Sequence, residues 1–292
     1  MRVLVLGLIP YDAGKTEFVI GLAEALEDIG FNPGYFKPVA GHDGWYQYDT
    51  ILYSMEAKVL IGHDAYVVSE KLGLLDKLNL VSPLDILTLP VDLAKLGLNV
   101  HAYNEYMSYI GRRAVLMRFT RFIDMKRGDY RDIYFIGSDA LAKISDELKE
   151  VLEALMKEIK HERSLFVEVT TKHIEKILGG PEIYRVIDSY INYLGDRDPL
   201  IIEGYNDVAA PTMGSLYSDY VFVVSPGKAL VYSGERYRTA VNLLSYRGNP
   251  WTITSSSVVE VLGNPLASFD IPLKIAGEKY SKTFHRIAEF IS

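Results

Sequence analysis

The chain opens MRVLVLGLIPYDAGKTEFVI: an apolar run, a short loop, Gly14-Lys15-Thr16 and the first turns of a helix. This order constrains the fold more than any other feature of the 292 residues. Residues 2–9 are almost all apolar, which suits a strand buried on both faces, the habit of parallel sheets. KTEFVIGLAEALEDIG places apolar residues at three-to-four spacing and stops at Gly30, so it reads as a helix with a glycine end. NPGYFKPVAG then supplies a second short strand and completes a strand–helix–strand unit.

A loop between a buried strand and a helix turns backbone N–H groups and the positive end of the helix dipole outward, an arrangement that holds phosphates. The minimal phosphate-binding pattern has a glycine five residues before Gly14, and here that position is Ile9. On the remaining pattern, Lys15 serves the β- and γ-phosphates and the Thr16 hydroxyl serves Mg²⁺. Tyr11, Asp12, Ala13, Gly14 and Glu17 complete the expected nucleotide-binding stretch.

Two later runs, DPLIIEG (198–204) and DYVFVVSPG (219–227), read as further central strands. Between them YNDVAAPTMGS has the proline and glycine of an active-site loop. NPWTITSSS (249–257) reads as one more strand, FDIPLK as a last short one and GEKYSKTFHRIAEF as a terminal amphipathic helix. Buried strands interleaved with helices predict an α/β chain with a doubly wound, mostly parallel sheet. The stretch 101–185 differs: RRAVLMRFTRFIDMKRGDYRDIYFIG looks like a hairpin turning at Arg127-Gly128-Asp129. SDALAKISDELKEVLEALMKEIKHE follows as an amphipathic helix opened by Ser138 or Asp139. The expected organisation is an α/β domain from 1–100 and 186–292, with 101–185 inserted as an α+β segment.

A net charge of −7 argues against a general nucleic-acid or anionic-membrane binder. There is no cysteine, hence no disulfide and no thiolate chemistry. The apolar start is too short for a signal peptide and no apolar run spans a bilayer, so the expected location is the cytoplasm. The histidines, 42, 63, 101, 161, 173 and 285, show no zinc spacing, and His42 reads as a packing or surface residue. Arg112, Arg113, Arg118 and Arg121 alternate with Val115, Met117 and Phe119 and read as the solvated face of the hairpin.

Several segments together resemble dethiobiotin synthetase and its relatives. That family's phosphate loop is one residue longer than the minimal pattern, and the frame Leu8-Ile9-Pro10-Tyr11-Asp12-Ala13 before Gly14-Lys15-Thr16 has this length without the family's first glycine and Thr-Asp-Thr. GYFKPVAGH (34–42) resembles the family's tyrosine-lysine-proline-valine segment, which implies that Lys37 contacts substrate and the transferring phosphoryl group. GHDAYVV (62–68) resembles the segment that supplies a Mg²⁺ ligand, implying Asp64, with Asp49 as its competitor. DPLIIEGYND resembles the strand ending Val-Glu-Gly-Ala-Gly-Gly, which makes Glu203 the second acidic metal ligand. Tyr205-Asn206-Asp207 replace Ala-Gly-Gly, and Tyr11 replaces a substrate-side threonine, which points away from the family's own diamino-acid substrate.

The resemblance implies a sheet of the P-loop NTPase type, ATP or another nucleoside triphosphate with Mg²⁺ as cofactor, and phosphorylation of a carboxylate or carbamate on a small molecule. The alternative is a nucleotide-dependent switch or assembly ATPase acting on a protein. A homodimer is the family's prior. Pro10 stands where related partitioning ATPases carry a lysine that reaches the partner's nucleotide, so that mechanism is not expected.

Overall fold

The computed structural model describes residues 1–246 and 248–292. These form two compact units: Met1–Pro38, Val68–Leu74 and Tyr184–Ser292 in the first, Val39–Val67 and Leu75–Ile183 in the second. The strands are β1 (Arg2–Gly7), β2 (Gly34–Phe36), β3 (Val39–Asp43), β4 (Leu84–Thr88), β5 (Ala114–Asp124), β6 (Asp129–Gly137), β7 (Ser164–Val169), β8 (Leu200–Glu203), β9 (Tyr220–Ser225), β10 (Lys228–Ser233) and β11 (Ala267–Asp270).

The first unit holds a sheet in the order β11-β10-β9-β1-β8-β2. Its β9, β1, β8 and β2 are parallel, and β10 and β11 are added antiparallel at one edge. Val3, Leu4, Val5 and Leu6 of β1 are wholly buried, as an uninterrupted apolar strand requires. From β1 the chain passes through helix α1 (Lys15–Asp28) to β2, returns later to β8 between them, and then steps across β1 to β9. The winding therefore changes direction at β1, and the carboxyl end of a strand at such a switch point is where open α/β sheets bind ligands. Phe18 fixes α1 to this sheet: its ring lies 5.1 Å from Phe222 of β9 and 5.4 Å from Phe284 of the terminal helix Glu278–Ile291.

The second unit holds a five-stranded mixed sheet, β3-β4-β5-β6-β7. Its β3/β4 and β6/β7 pairs are parallel, and β4/β5 and β5/β6 are antiparallel. Leu87, Val115, Leu116 and Tyr134 form its core with Leu152 and Leu155 of the helix Asp146–Glu158.

The α/β class, the buried central strands, the 114–137 hairpin and the terminal helix agree with the sequence reading. Five expectations need correction. NPGYFKPVAG is two strands, β2 in the first sheet and β3 in the second, because Pro38 has no N–H to donate and restricts the residue before it. The second unit accordingly begins at Val39, well before residue 101, and takes in β3 and β4. The stretch 249–257 is a turn of 3₁₀ helix (Pro250–Thr252) and the start of the helix Ser255–Leu262, since the Thr254 hydroxyl accepts the Ser257 N–H at 3.3 Å and caps that helix. The helix expected to open at Ser138 or Asp139 is interrupted: Ser138–Leu141 is a single turn, and Ser145 caps Asp146–Glu158 by accepting from the Leu148 N–H at 3.3 Å. Asp139 instead accepts from the backbone N–H and the hydroxyl of Thr171, both at 2.7 Å.

The arginine cluster is a solvated face only in part: Arg112 and Arg121 are exposed as expected, and the other two are not. Arg118 is wholly buried and Arg113 almost so. The Arg118 Nε donates to the Leu60 carbonyl at 2.9 Å, Nη2 to the Ser82 carbonyl at 2.5 Å and Nη1 to Thr120 Oγ1. Among the described residues no helix is long and apolar enough to cross a membrane.

Candidate functional site

The site is built at the carboxyl ends of β1, β8 and β2 in the first unit. Gly7 ends β1, and a side chain there would press on the Asn206 carbonyl at 2.9 Å and on Ala13 Cβ at 3.0 Å. Only glycine permits this approach. The loop then crosses exposed Tyr11 and Asp12, with Asp12 at φ 52°, and turns into α1 through Gly14 at φ 84° and ψ 19°, a left-handed conformation that glycine adopts without cost. No side chain caps α1, so the amides of its first turn are left to the loop side.

The floor comes from strand register. β2 runs parallel to β8 with Gly34, Tyr35 and Phe36 opposite Leu200, Ile201 and Ile202. One residue further, Lys37 falls opposite Glu203, and Tyr35 lies on the same face as both because side chains alternate along a strand. The contacts follow from this placement. Lys37 Nζ is 2.7 Å from Glu203 Oε1, the Tyr35 hydroxyl donates to Glu203 Oε2 at 2.6 Å, and the Thr16 hydroxyl approaches Oε1 at 3.4 Å. Lys37 also approaches the Gly204 carbonyl at 3.4 Å. Glu203 is wholly buried and Lys37 is 3% exposed. A buried ion pair offsets its desolvation only when further hydrogen bonds hold it, and Tyr35, Thr16 and the Gly204 carbonyl supply them.

Lys15 donates through Nζ to the Asn206 carbonyl at 2.9 Å, which ties the first turn of α1 to the loop after β8. Asn206 has φ 43°, a left-handed conformation that asparagine tolerates better than most residues. Tyr205 turns to Tyr184, and burial pushes both phenols up, Tyr184 to about 12. The Tyr184 ring stacks on Trp251 at 3.7 Å. Ser255 closes the other side by donating its hydroxyl to the Gly7 carbonyl.

The structure thus brings together Lys15, Thr16, Lys37 and Glu203. Ala13 is buried beneath the loop, whereas the Glu17 side chain lies 3.6 Å from Lys274 and its carbonyl accepts from Tyr280. Asp64 sits in the first turn of the helix His63–Lys71 and belongs to the second unit; Asp49, its competitor, pairs with His63 at 2.9 Å in the same unit. Sequence reasoning missed Tyr35, although its spacing of two from Lys37 on a strand was the available signal. It also missed the Asn206 carbonyl and Ser255, whose roles have no local signature.

For a magnesium ion, the cluster offers the Thr16 hydroxyl and the Glu203 carboxylate, both hard oxygen donors. Mg²⁺ is commonly held by one or two carboxylates with substrate phosphates and water completing its shell, so these residues fit it. No group of three or more His, Cys, Asp or Glu that would hold a metal occurs among the described residues. Compared with known proteins, the chain matches no family model, no curated protein and no solved structure.

Proposed function

We propose that the first unit binds a nucleoside triphosphate, ATP in the first instance, and transfers its γ-phosphoryl group to a carboxylate or carbamate on a small molecule, as enzymes like dethiobiotin synthetase do. The observation that supports this most is the convergence of Lys15, Thr16, Glu203 and Lys37 where the winding of a parallel sheet reverses, beside the uncapped start of α1. The amides of the α1 turn and Lys15 would hold the triphosphate and stabilise the charge that gathers on the moving phosphoryl group. Thr16 and Glu203 would hold Mg²⁺, which when bound neutralises phosphate charge. Lys37 adds a positive charge to the same floor.

In the reaction, a carboxylate oxygen of the substrate attacks the γ-phosphorus. The bond from phosphorus to the bridging oxygen breaks and ADP leaves with that electron pair. An amine then attacks the activated carbonyl, phosphate departs, and the amine gives up a proton. Tyr205-Asn206-Asp207, in place of small residues, set the size of what fits beside the phosphoryl group.

A second reading rests on the second unit, which has its own sheet and core: nucleotide turnover would drive binding and release of a protein partner. ATP hydrolysis measured with and without small amines and bicarbonate separates the two. Stimulation well above the basal rate supports the ligase reading, and basal turnover alone supports the switch. Lys15→Ala abolishes turnover in either case, and a variant with full activity contradicts both.

A further inference from the structure

The Glu203 carboxylate divides its oxygens between two kinds of partner. Oε2 accepts from the Tyr35 hydroxyl at 2.6 Å, while Oε1 meets the Lys37 ammonium at 2.7 Å and the Thr16 hydroxyl at 3.4 Å. We infer that Tyr35 is a positioning residue for divalent-metal binding: its phenol fixes the plane of the Glu203 carboxylate so that Oε1 is presented beside Thr16. This inference rests on the nucleotide reading and deepens it.

The physical argument starts from freedom. The terminal torsion of a glutamate is broad, so an unanchored carboxylate turns at little cost. Beside Lys37, a turning carboxylate offers both oxygens to the ammonium, and neither is then held toward Thr16. A hydrogen bond from a buried tyrosine opposes that turn, because releasing Oε2 would break a bond to a charged group inside the core, where Tyr35 is 1% exposed. The anchor is also rigid at its base: Tyr35 belongs to β2 and is paired in register with Ile201, two residues before Glu203 on the same face. Partners that orient a metal-binding carboxylate in this way alter metal affinity by roughly ten- to hundredfold when removed.

A tyrosine that merely fills the core predicts something else. Its ring accounts for the packing, and Tyr35→Phe keeps the ring. Manganese(II) serves as the probe, titrated by electron paramagnetic resonance into the full chain with a non-hydrolysable ATP analogue present. Nucleotide affinity is measured separately in chelator. Tyr35→Phe is expected to bind manganese about tenfold more weakly, with nucleotide affinity in chelator within about twofold of wild type. Tyr237→Phe is the control, since it removes another buried phenol, one that donates to the Ala209 carbonyl at 3.0 Å, and it leaves manganese affinity unchanged.

Equal manganese affinity in wild type and Tyr35→Phe overturns the inference alone. So does an equal loss in Tyr35→Phe and Tyr237→Phe, which reports general loosening of the core. A wild-type chain that binds neither the analogue nor manganese overturns the nucleotide reading together with the inference.

Discussion

Glu203 in the first unit and Arg118 in the second are both wholly buried charged side chains on strands, and their partners differ in kind. Arg118 lies in the middle of an antiparallel pair, opposite Tyr134, and its donors go to carbonyls at Leu60 and Ser82 and to the Thr120 hydroxyl. Thr120 in turn donates to Asp132 Oδ1 at 2.5 Å, and Asp132 Oδ2 receives Asn79 Nδ2 at 2.6 Å. His161 completes the set at 3.2 Å from Oδ2. All of these named partners lie in the same unit and satisfy the buried charges there.

Glu203 is the last residue of a parallel strand. Its partners come from β2, from the residue beyond it and from the first turn of α1, so the cluster adjoins loops and a helix start. Burial of charge therefore does not by itself mark a site. Placement at the carboxyl ends of parallel strands does.

Removing one member of each cluster gives the largest effect and separates them. Asp132→Asn and Glu203→Gln each remove a carboxylate paired with a buried cation and are expected to lower unfolding free energy by about 3–5 kcal/mol in denaturant titrations. Only Glu203→Gln also abolishes the magnesium dependence of nucleotide binding. If Asp132→Asn abolishes it equally, the distinction between the clusters fails.

Thr120→Val sharpens the comparison at smaller scale. It deletes the hydroxyl shared by Arg118 and Asp132 while keeping the shape, and is expected to cost about 1–3 kcal/mol with nucleotide affinity unchanged. Unaltered stability would show that the arginine finds other acceptors.

Asp188 is a half-buried carboxyl, held by the Gly214 N–H at 2.9 Å through Oδ2 while Oδ1 has no hydrogen-bond partner. Burial raises its pKa, opposed by hydrogen bonds from Thr212 and the Gly214 N–H. The fold thus favours its protonated form, supports stability at acid pH and loses that support as pH rises through the raised value. Asp188→Asn should gain stability relative to wild type as pH rises above the ordinary aspartate value of about 4, the smallest effect of the set. A pH-independent difference between the two chains would contradict it.

What the sequence disclosed and what it hid follow one rule. Patterns whose cause is local were legible: the apolar β1, the period of α1, the glycine turn at Gly14 and the hairpin at Gly128. So was the identity of Lys15, Thr16, Lys37 and Glu203 as neighbours, because a resemblance carries non-local pairing that periodicity does not. The division of YFKPVA between two sheets was hidden, since a proline break shows where a strand stops but not which sheet receives the next one. Arg118 looked like a solvated residue because its acceptors, Leu60 and Ser82, lie far away in sequence. The stretch 249–257 reads as a strand because the β-branched Thr252, Ile253 and Thr254 outweigh the hydroxyl cap that Thr254 gives the helix starting at Ser255.

The central claim is that the turn from Gly7 to Thr16 binds a polyanion at the head of α1. It is tested most directly by thermal melting of the wild-type chain and Lys15→Ala, each with and without magnesium–ATP. A ligand at about a hundred times its dissociation constant adds about 2.7 kcal/mol of stability. The account predicts a clear rise in the wild-type midpoint and none in Lys15→Ala, whose ligand-free midpoint stays close to wild type. A wild-type midpoint unmoved by magnesium–ATP, or an equal rise in both chains, would contradict it.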